Sequence, residues 1–470
     1  FTTRPSRNSV LPEPVVPNLT IPLVLDGYNV VAIGQNAFQG KTSLKTVVMQ
    51  DNITTIGNRA FFGCTNLRNL TLSENLTSIG NLAFQECSAL TTVTIPDSVT
   101  SIGGSAFAYC YNLQYVRLSK GLTSIGGLAF MECDKLTSIT IPKSLQTTVT
   151  QYYSGSNQHG PFYNCDNLSS ITFETGISLI PVGLFANCPG IVEIVIPDTV
   201  LTIENYAFLN CNSLTSVTVP GSVTTIGQYA FSGCEELTSL NLSEGLTTIR
   251  TGAFEYGISL AKVKLPDSVT VIGPYAFREC AALAEVNLPL SLIDIQMGAF
   301  FNCDKLTAIQ IPKSLETTTT AYYSGSNQYG PFYDCDNLSE IVFEKGITRI
   351  AQGLFANCPG IQEMVIPDTV VTVGNYAVAN CDSLKTVTVP GSVTEIDQNA
   401  FLGCNCLETV SLVEGLSVIR TSAFDGCTAL TEIDIPDTVT IIGPWAFRSC
   451  SDLAKVKLSK GLVELYMGAF

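Results

Sequence analysis

Nineteen times along this chain an apolar residue recurs in one setting, usually after a small residue and three positions before a cysteine. The anchors are Phe38, Phe61, Phe84, Phe107, Phe130, Phe162, Phe185, Phe208, Phe231, Phe254, Phe277, Phe300, Phe332, Phe355, Val378, Phe401, Phe424, Phe447 and Phe470. Sixteen of the eighteen intervals are 23 residues long, and two, Phe130 to Phe162 and Phe300 to Phe332, are 32. So regular a period constrains the fold more than any other feature. A module of 23 residues cannot bury its own apolar edge, so modules must stack and bury each other's. The several globular domains that 470 residues would otherwise allow are thereby set aside.

The module from Leu90 to Cys110 shows how one coil should run. Thr92 to Pro96 alternates polar and apolar, which predicts a strand with Val93 and Ile95 inward and Thr92 and Thr94 outward. Pro96 cannot donate to a ladder and should end the strand. Val99 and Ile102 should tuck the return path into the core, with Gly103 permitting a turn. Ala106, Phe107 and Cys110 are spaced as on a short helical turn.

This pattern resembles the BspA-type leucine-rich-repeat family, whose 23-residue module has the form Leu-x-x-Val-x-Ile-Pro, then Val-x-x-Ile-Gly-x-x-Ala-Phe-x-x-Cys. The resemblance implies a repeat solenoid, a right-handed superhelix. Its parallel β-sheet should line the concave face, with short helical turns and irregular return on the convex face. It runs from about Ile21 to Phe470. The domain reading is therefore an extended lead-in over 1–20 and a single solenoid of about nineteen modules over 21–470. Residues 131–300 realign with 301–470 at an offset of 170, a tandem super-repeat. The chain starts at Phe1 rather than Met and stops at an anchor in mid-module, so a longer native protein is expected.

Charge excludes some partners. The net charge is −16, a field that repels a phosphate backbone and disfavours anionic membrane surfaces, so nucleic acid is not an expected partner. No apolar run reaches the roughly 18–20 residues of a membrane-spanning helix, so no membrane insertion is expected within this segment.

Nor does the chain offer a convincing reaction centre. Sixteen of the 17 cysteines lie three residues after an anchor, and Cys406 is the exception. That is a ladder of small buried thiols, not the clustered spacing of a zinc site. Disulfides between neighbouring coils are disfavoured because parallel side chains do not converge. The only histidine, His159, corresponds to Tyr329 in the second copy, which a general base would not. No nucleophile, phosphate-binding or metal motif stands in a credible context. The expectation is a non-enzymatic protein with no cofactor and no metal.

Two surfaces compete for a partner. On the outward sheet face most residues are small, and Tyr115 with Arg117 breaks the run as an interaction hot spot would. The long modules are the second candidate. The first reads Tyr152-Tyr153-Ser-Gly-Ser-Asn-Gln-His159-Gly-Pro-Phe-Tyr163, and the second Tyr322-Tyr323-Ser-Gly-Ser-Asn-Gln-Tyr329-Gly-Pro-Phe-Tyr333. Tyr among Ser, Gly, Asn and Gln is the chemistry of adaptable binding loops, and an insertion in a solenoid maps to a loop on one face. Asn18, Asn52, Asn69, Asn75, Asn167, Asn241 and Asn337 head glycosylation sequons, relevant only for a eukaryotic source.

The resemblance further implies an adhesin-like protein, extracellular or at the cell surface, whose partners are proteins or glycoproteins on host or neighbouring cells. The alternative is a structural stalk or spacer displaying another domain.

Overall fold

The computed structural model describes residues 17–148, 151–152, 158–315, 317–319, 321–322 and 328–470. Two compact units, Phe1–Leu237 and Thr238–Phe470, are each built from stacked β-coils of the expected kind.

Within a coil the alternating segment forms the inward-and-outward strand. Thr92–Thr94 pairs in parallel with Tyr115–Arg117, with Val93 opposite Val116. Val93 and Ile95 are buried while Thr92 and Thr94 face solvent. The strand stops at Thr94, and the Ile95 amide adds one more bond to the Arg117 carbonyl (2.8 Å) before Pro96 closes the run. The return path is more regular than its sequence indicates. Ser101–Ile102 is itself a strand, in a six-stranded parallel ladder running from Ala32–Ile33 to Thr147–Thr148. Arg349–Ile350 to Glu464–Leu465 form the matching ladder in the second unit. Each coil thus contributes two strands to two parallel sheets, with the core between them.

The helical turn predicted around Ala106 to Cys110 is replaced by a different conformation, and no helix occurs among the described residues. Ser105 (φ 52°) and Tyr109 (φ 60°) are left-handed, two residues either side of the anchor. Asn36 and Gly40, and Tyr206 and Asn210, flank their anchors in the same way. The alternation sends every second amide out of the coil. Ser105, Phe107 and Tyr109 donate to Gly127, Ala129 and Met131 of the next coil at 3.0, 2.7 and 2.8 Å. Ala106, Ala108 and Cys110 close turns within the coil. A helix would satisfy its amides internally and leave neighbouring coils unbonded. A left-handed non-glycine residue costs about 1–2 kcal/mol, and the inter-coil bonds offset it.

Gly103 serves close approach rather than positive φ. A Cβ there would lie 2.5 Å from the Asn81 nitrogen on the preceding coil.

The anchors form a ring ladder inside the core. Phe107 stacks on Phe84 at 5.2 Å and on Phe130 at 5.3 Å, close to the roughly 4.8 Å between neighbouring strands. Beside it runs the thiol ladder. All 17 cysteines are free, and Cys110 Sγ donates to the Phe84 carbonyl of the preceding coil (3.4 Å). Cys133 repeats the bond to Phe107 and Cys303 to Phe277. Burial pushes Cys110, Cys165 and Cys280 up to about 12, which keeps them as thiols.

Candidate binding surfaces

In the first unit the sheet face carries a groove of about 510 Å³. Its floor is the outward row Ser138, Thr140, Ser170 and Thr172, and its walls are Tyr115, Arg117 and Lys120 on one side with Glu174 on the other. Ser138–Ile141 and Ser170–Phe173 pair in register, so the four hydroxyls form a flat patch. Among the described residues no ladder joins Tyr115–Arg117 to Ser138–Ile141. Tyr115 is 52 % exposed, standing at the groove's edge because its strand position points outward. Arg117 is held in place: Nη2 reaches Asp97 Oδ1 (2.7 Å) and Nη1 donates to the Ile95 carbonyl (3.2 Å). The Lys120 amide, and then Arg117, hold the Asp97 carboxyl below the usual carboxylate range.

Other charged breaks on the sheet face pair with each other across neighbouring strands. Lys262 Nζ lies 2.5 Å from Glu285, Lys455 Nζ 2.8 Å from Glu432 and Lys457 Nζ 3.6 Å from Asp434. A sign reversal between copies is therefore balanced one strand away.

The nine extra residues of each long module form an antiparallel hairpin. Gln151–Tyr152 pairs with Gln158–His159, and Ala321–Tyr322 with Gln328–Tyr329. The hairpin backbones therefore carry Tyr152 and Tyr322, while Tyr153 and Tyr323 lie outside the described residues. At the hairpin base His159 meets Tyr163 edge-on at 4.3 Å, and Tyr329 meets Tyr333 in the same geometry at 4.3 Å. Burial lowers the His159 pKa, which keeps the imidazole neutral.

The surroundings of the two hairpins differ. In the second unit Tyr333 also stacks on Phe301 (4.9 Å, 14°), and the pair opens onto a pocket of about 230 Å³ completed by Tyr275, Arg278 and Gly298. Arg278 lies over Tyr275, Phe301 and Tyr256 at 5.6, 5.2 and 5.5 Å, and Nη1 donates to the buried Glu255 (3.0 Å). Burial, with Asp334 and Tyr329 nearby, pushes the Tyr333 hydroxyl up to about 12, so it stays a neutral donor. One repeat unit of 170 residues earlier, Ser105, Ala108 and Met131 stand where Tyr275, Arg278 and Phe301 are.

Of the residues expected from sequence, then, the structure joins Tyr115 with Arg117, His159 with Tyr163, and Tyr329 with Tyr333. The groove's lining includes neither His159 nor Tyr163. Sequence reading passed over Glu174, Tyr275, Arg278 and Phe301. The available signal was register, since Arg278, Phe301 and Tyr333 each follow an anchor directly in three successive modules.

Several sequon asparagines are already committed. The Asn75, Asn167 and Asn337 side-chain amides donate to Asp51, Asp134 and Asp304 carbonyls, each at 2.7 Å. Asn52 donates to Leu23 (3.2 Å) and Val30 carbonyls, and Asn69 to Thr46 Oγ1 (3.4 Å). Asn18 and Asn241 are exposed on strands. Among the described residues no group of acidic, His or Cys side chains is arranged to hold a metal ion, and no helix is long and apolar enough to cross a membrane.

The model of the BspA type leucine rich repeat region matches residues 31–160, 155–283, 247–331, 328–454 and 417–470. Among solved structures, a leucine-rich repeat protein from Bacteroides ovatus ATCC 8483 is similar at 22 % identity, over 93 % of this chain and 92 % of that one, with a TM-score of 0.45. A leucine rich cell surface protein from Faecalibacterium prausnitzii A2-165 is similar at 23 % identity, over 94 % and 87 %, with a TM-score of 0.32. The T. pallidum leucine rich repeat protein is 29 % identical over 37 % of this chain and 78 % of that one, with a TM-score of 0.33. A search of curated proteins finds no significant match.

Proposed function

The chain belongs to the BspA-type leucine-rich repeat family, and from that premise we propose that it is a non-enzymatic, adhesin-like protein of the cell surface or extracellular space. Its partner is a protein segment seated in the groove beside Tyr115. The family resemblance supports the location, and the groove supports the mode of binding.

The observation that carries the reading is the groove's construction. A rigid parallel sheet presents four small hydroxyl side chains in register, beside an exposed aromatic ring and a guanidinium already fixed by Asp97. A pre-positioned Tyr–Arg pair loses little side-chain freedom on binding, which is why such residues dominate interface energetics. Lys120 and Glu174 on opposite walls orient a polar segment across the strands.

The test is capture of matrix and cell-surface proteins by the intact chain, beside variants Tyr115→Ala and Arg117→Ala. Loss of about 2 kcal/mol at Tyr115, roughly thirtyfold in affinity, is expected for a hot spot. Binding unchanged by both substitutions removes the groove from the reading. No binding by any form favours the stalk or spacer.

A further inference from the structure

We propose that the aromatic pocket of Tyr275, Arg278, Gly298, Phe301, Tyr329 and Tyr333 binds one neutral pyranose ring, as the end residue of a glycan. This site lies in the second unit, is separate from the Tyr115 groove, and asks for a different ligand.

Size comes first. At about 230 Å³ the pocket falls below the roughly 300–1,000 Å³ that drug-sized ligands occupy, leaving room for a single ring. Its walls are ring faces. Phe301 and Tyr333 are parallel and stacked, and Tyr329 stands edge-on to Tyr333. Aromatic faces are electron-rich and attract the C–H hydrogens of a sugar's apolar face. Tyr275 comes close because residue 298 is glycine: a Cβ there would lie 2.7 Å from the Tyr275 ring. Gly298 also has φ +59°, so a side chain is excluded twice over.

The polar part decides between ligand classes. Arg278 Nη1 is bound to Glu255, whereas Nη2 lies 3.8 Å from Glu279, longer than a hydrogen bond. The Nη2 edge can therefore donate to a hydroxyl. The guanidinium charge is already balanced by two carboxylates in a chain of net charge −16, so an anionic ligand gains no attraction and a cationic one meets Arg278. A neutral ring with an apolar face and hydroxyl edges satisfies both parts.

Internal comparison separates scaffold from pocket. The acid–Arg–aromatic–glycine set recurs 170 residues on as Asp425, Arg448, Trp445 and Gly468, with Arg448 over Trp445 at 5.4 Å and Nε donating to Asp425 at 2.9 Å. That set is a reusable packing device. Phe301 and the hairpin tyrosines turn it into a cavity. At the corresponding places one super-repeat earlier the chain has Gln85, Ala108, Leu128 and Met131, so a folded coil without the cage already exists within this protein.

The experiment is saturation-transfer NMR on the intact chain with methyl glucopyranoside, galactopyranoside and mannopyranoside, and methyl glucuronide as the anionic comparison. The control variant is Glu255→Gln with Arg278→Ala and Phe301→Met, the residues used at 85, 108 and 131. Transfer to ring C–H protons of at least one neutral glycoside is expected. Its affinity should fall at least tenfold in the triple variant and stay unchanged in Tyr115→Ala. No transfer from any neutral glycoside, stronger binding of the glucuronide, or equal binding by parent and variant overturns the proposal. A proline-rich peptide taken up in place of sugars overturns it too. If the triple variant melts below the parent, Phe301→Met alone decides by a threefold loss or its absence.

Discussion

Replacing Cys280 by alanine should weaken the protein at neutral pH and strengthen it, relative to the parent, in alkali. The thiol is fully buried, and its Sγ donates to the Phe254 carbonyl at 3.4 Å. Truncation removes one heavy atom and a weak hydrogen bond, about 1 kcal/mol, near the low end for core truncations. That cost does not depend on pH. The opposing effect does. Burial pushes Cys280 from an ordinary value near 9.0 up to about 12. Between those values the unfolded chain gives up a proton that the folded chain keeps. The thiol's contribution is therefore fully present below about pH 9 and is lost as pH rises toward 12, at about 1.4 kcal/mol per pH unit. By pH 10.5 the parent has lost about 2 kcal/mol at this position, which alanine cannot lose. The variant should be about 1 kcal/mol less stable at pH 7.5, level with the parent between about pH 9.5 and 10, and about 1 kcal/mol more stable at pH 10.5. Urea unfolding of both proteins in reductant at these pH values measures the difference, and titration of Tyr and Lys cancels because both proteins share it. A deficit that stays constant from pH 7.5 to 10.5 refutes the reasoning, since it means the thiol ionises equally in both states.

Three further outcomes follow from the same architecture. Phe277→Ala breaks two ring contacts at 5.3 Å, to Phe254 and Phe300, and should cost about 3–5 kcal/mol, read as early local exchange of the Phe254 and Phe277 amides; a parent-like melt and exchange pattern would contradict the ring ladder. Gly103→Ala puts a methyl 2.5 Å from the Asn81 nitrogen and should cost about 1–3 kcal/mol through forced separation of two coils, so an unchanged melting temperature would mean the coils are looser than described. Thiol titration of the native protein at pH 8 should modify Cys406 alone, the one exposed cysteine of 17, and two or more fast thiols would break the buried-ladder account.

The helical turn that sequence spacing predicts at Ala106 to Cys110 shows where pattern reading stops. Spacing reports which side chains are buried together, and it was right that Ala106, Phe107 and Cys110 share the core. It does not report where amides point. The left-handed residues Ser105 and Tyr109 redirect them to the next coil, a choice visible only once two coils are side by side. Gly103 is similar: the residue type was legible, but its reason is the Asn81 backbone of another module.

What the sequence determined by itself is whatever repeats. A side chain 23 residues along is the neighbour in the next coil, so the period settles which residues form the phenylalanine ladder, the thiol ladder and the inward rows of both sheets. Tertiary structure decided what does not repeat. Arg278 finds Glu255 23 residues away, while Phe301 finds Tyr333 across the longer 32-residue coil. Two hairpins of nearly the same sequence rest on Met131 in one place and on Phe301 in the other. Core positions are dictated by register because every coil must match its neighbour. Outward positions are free of that demand, and only the folded stack brings those that differ into a groove or a pocket.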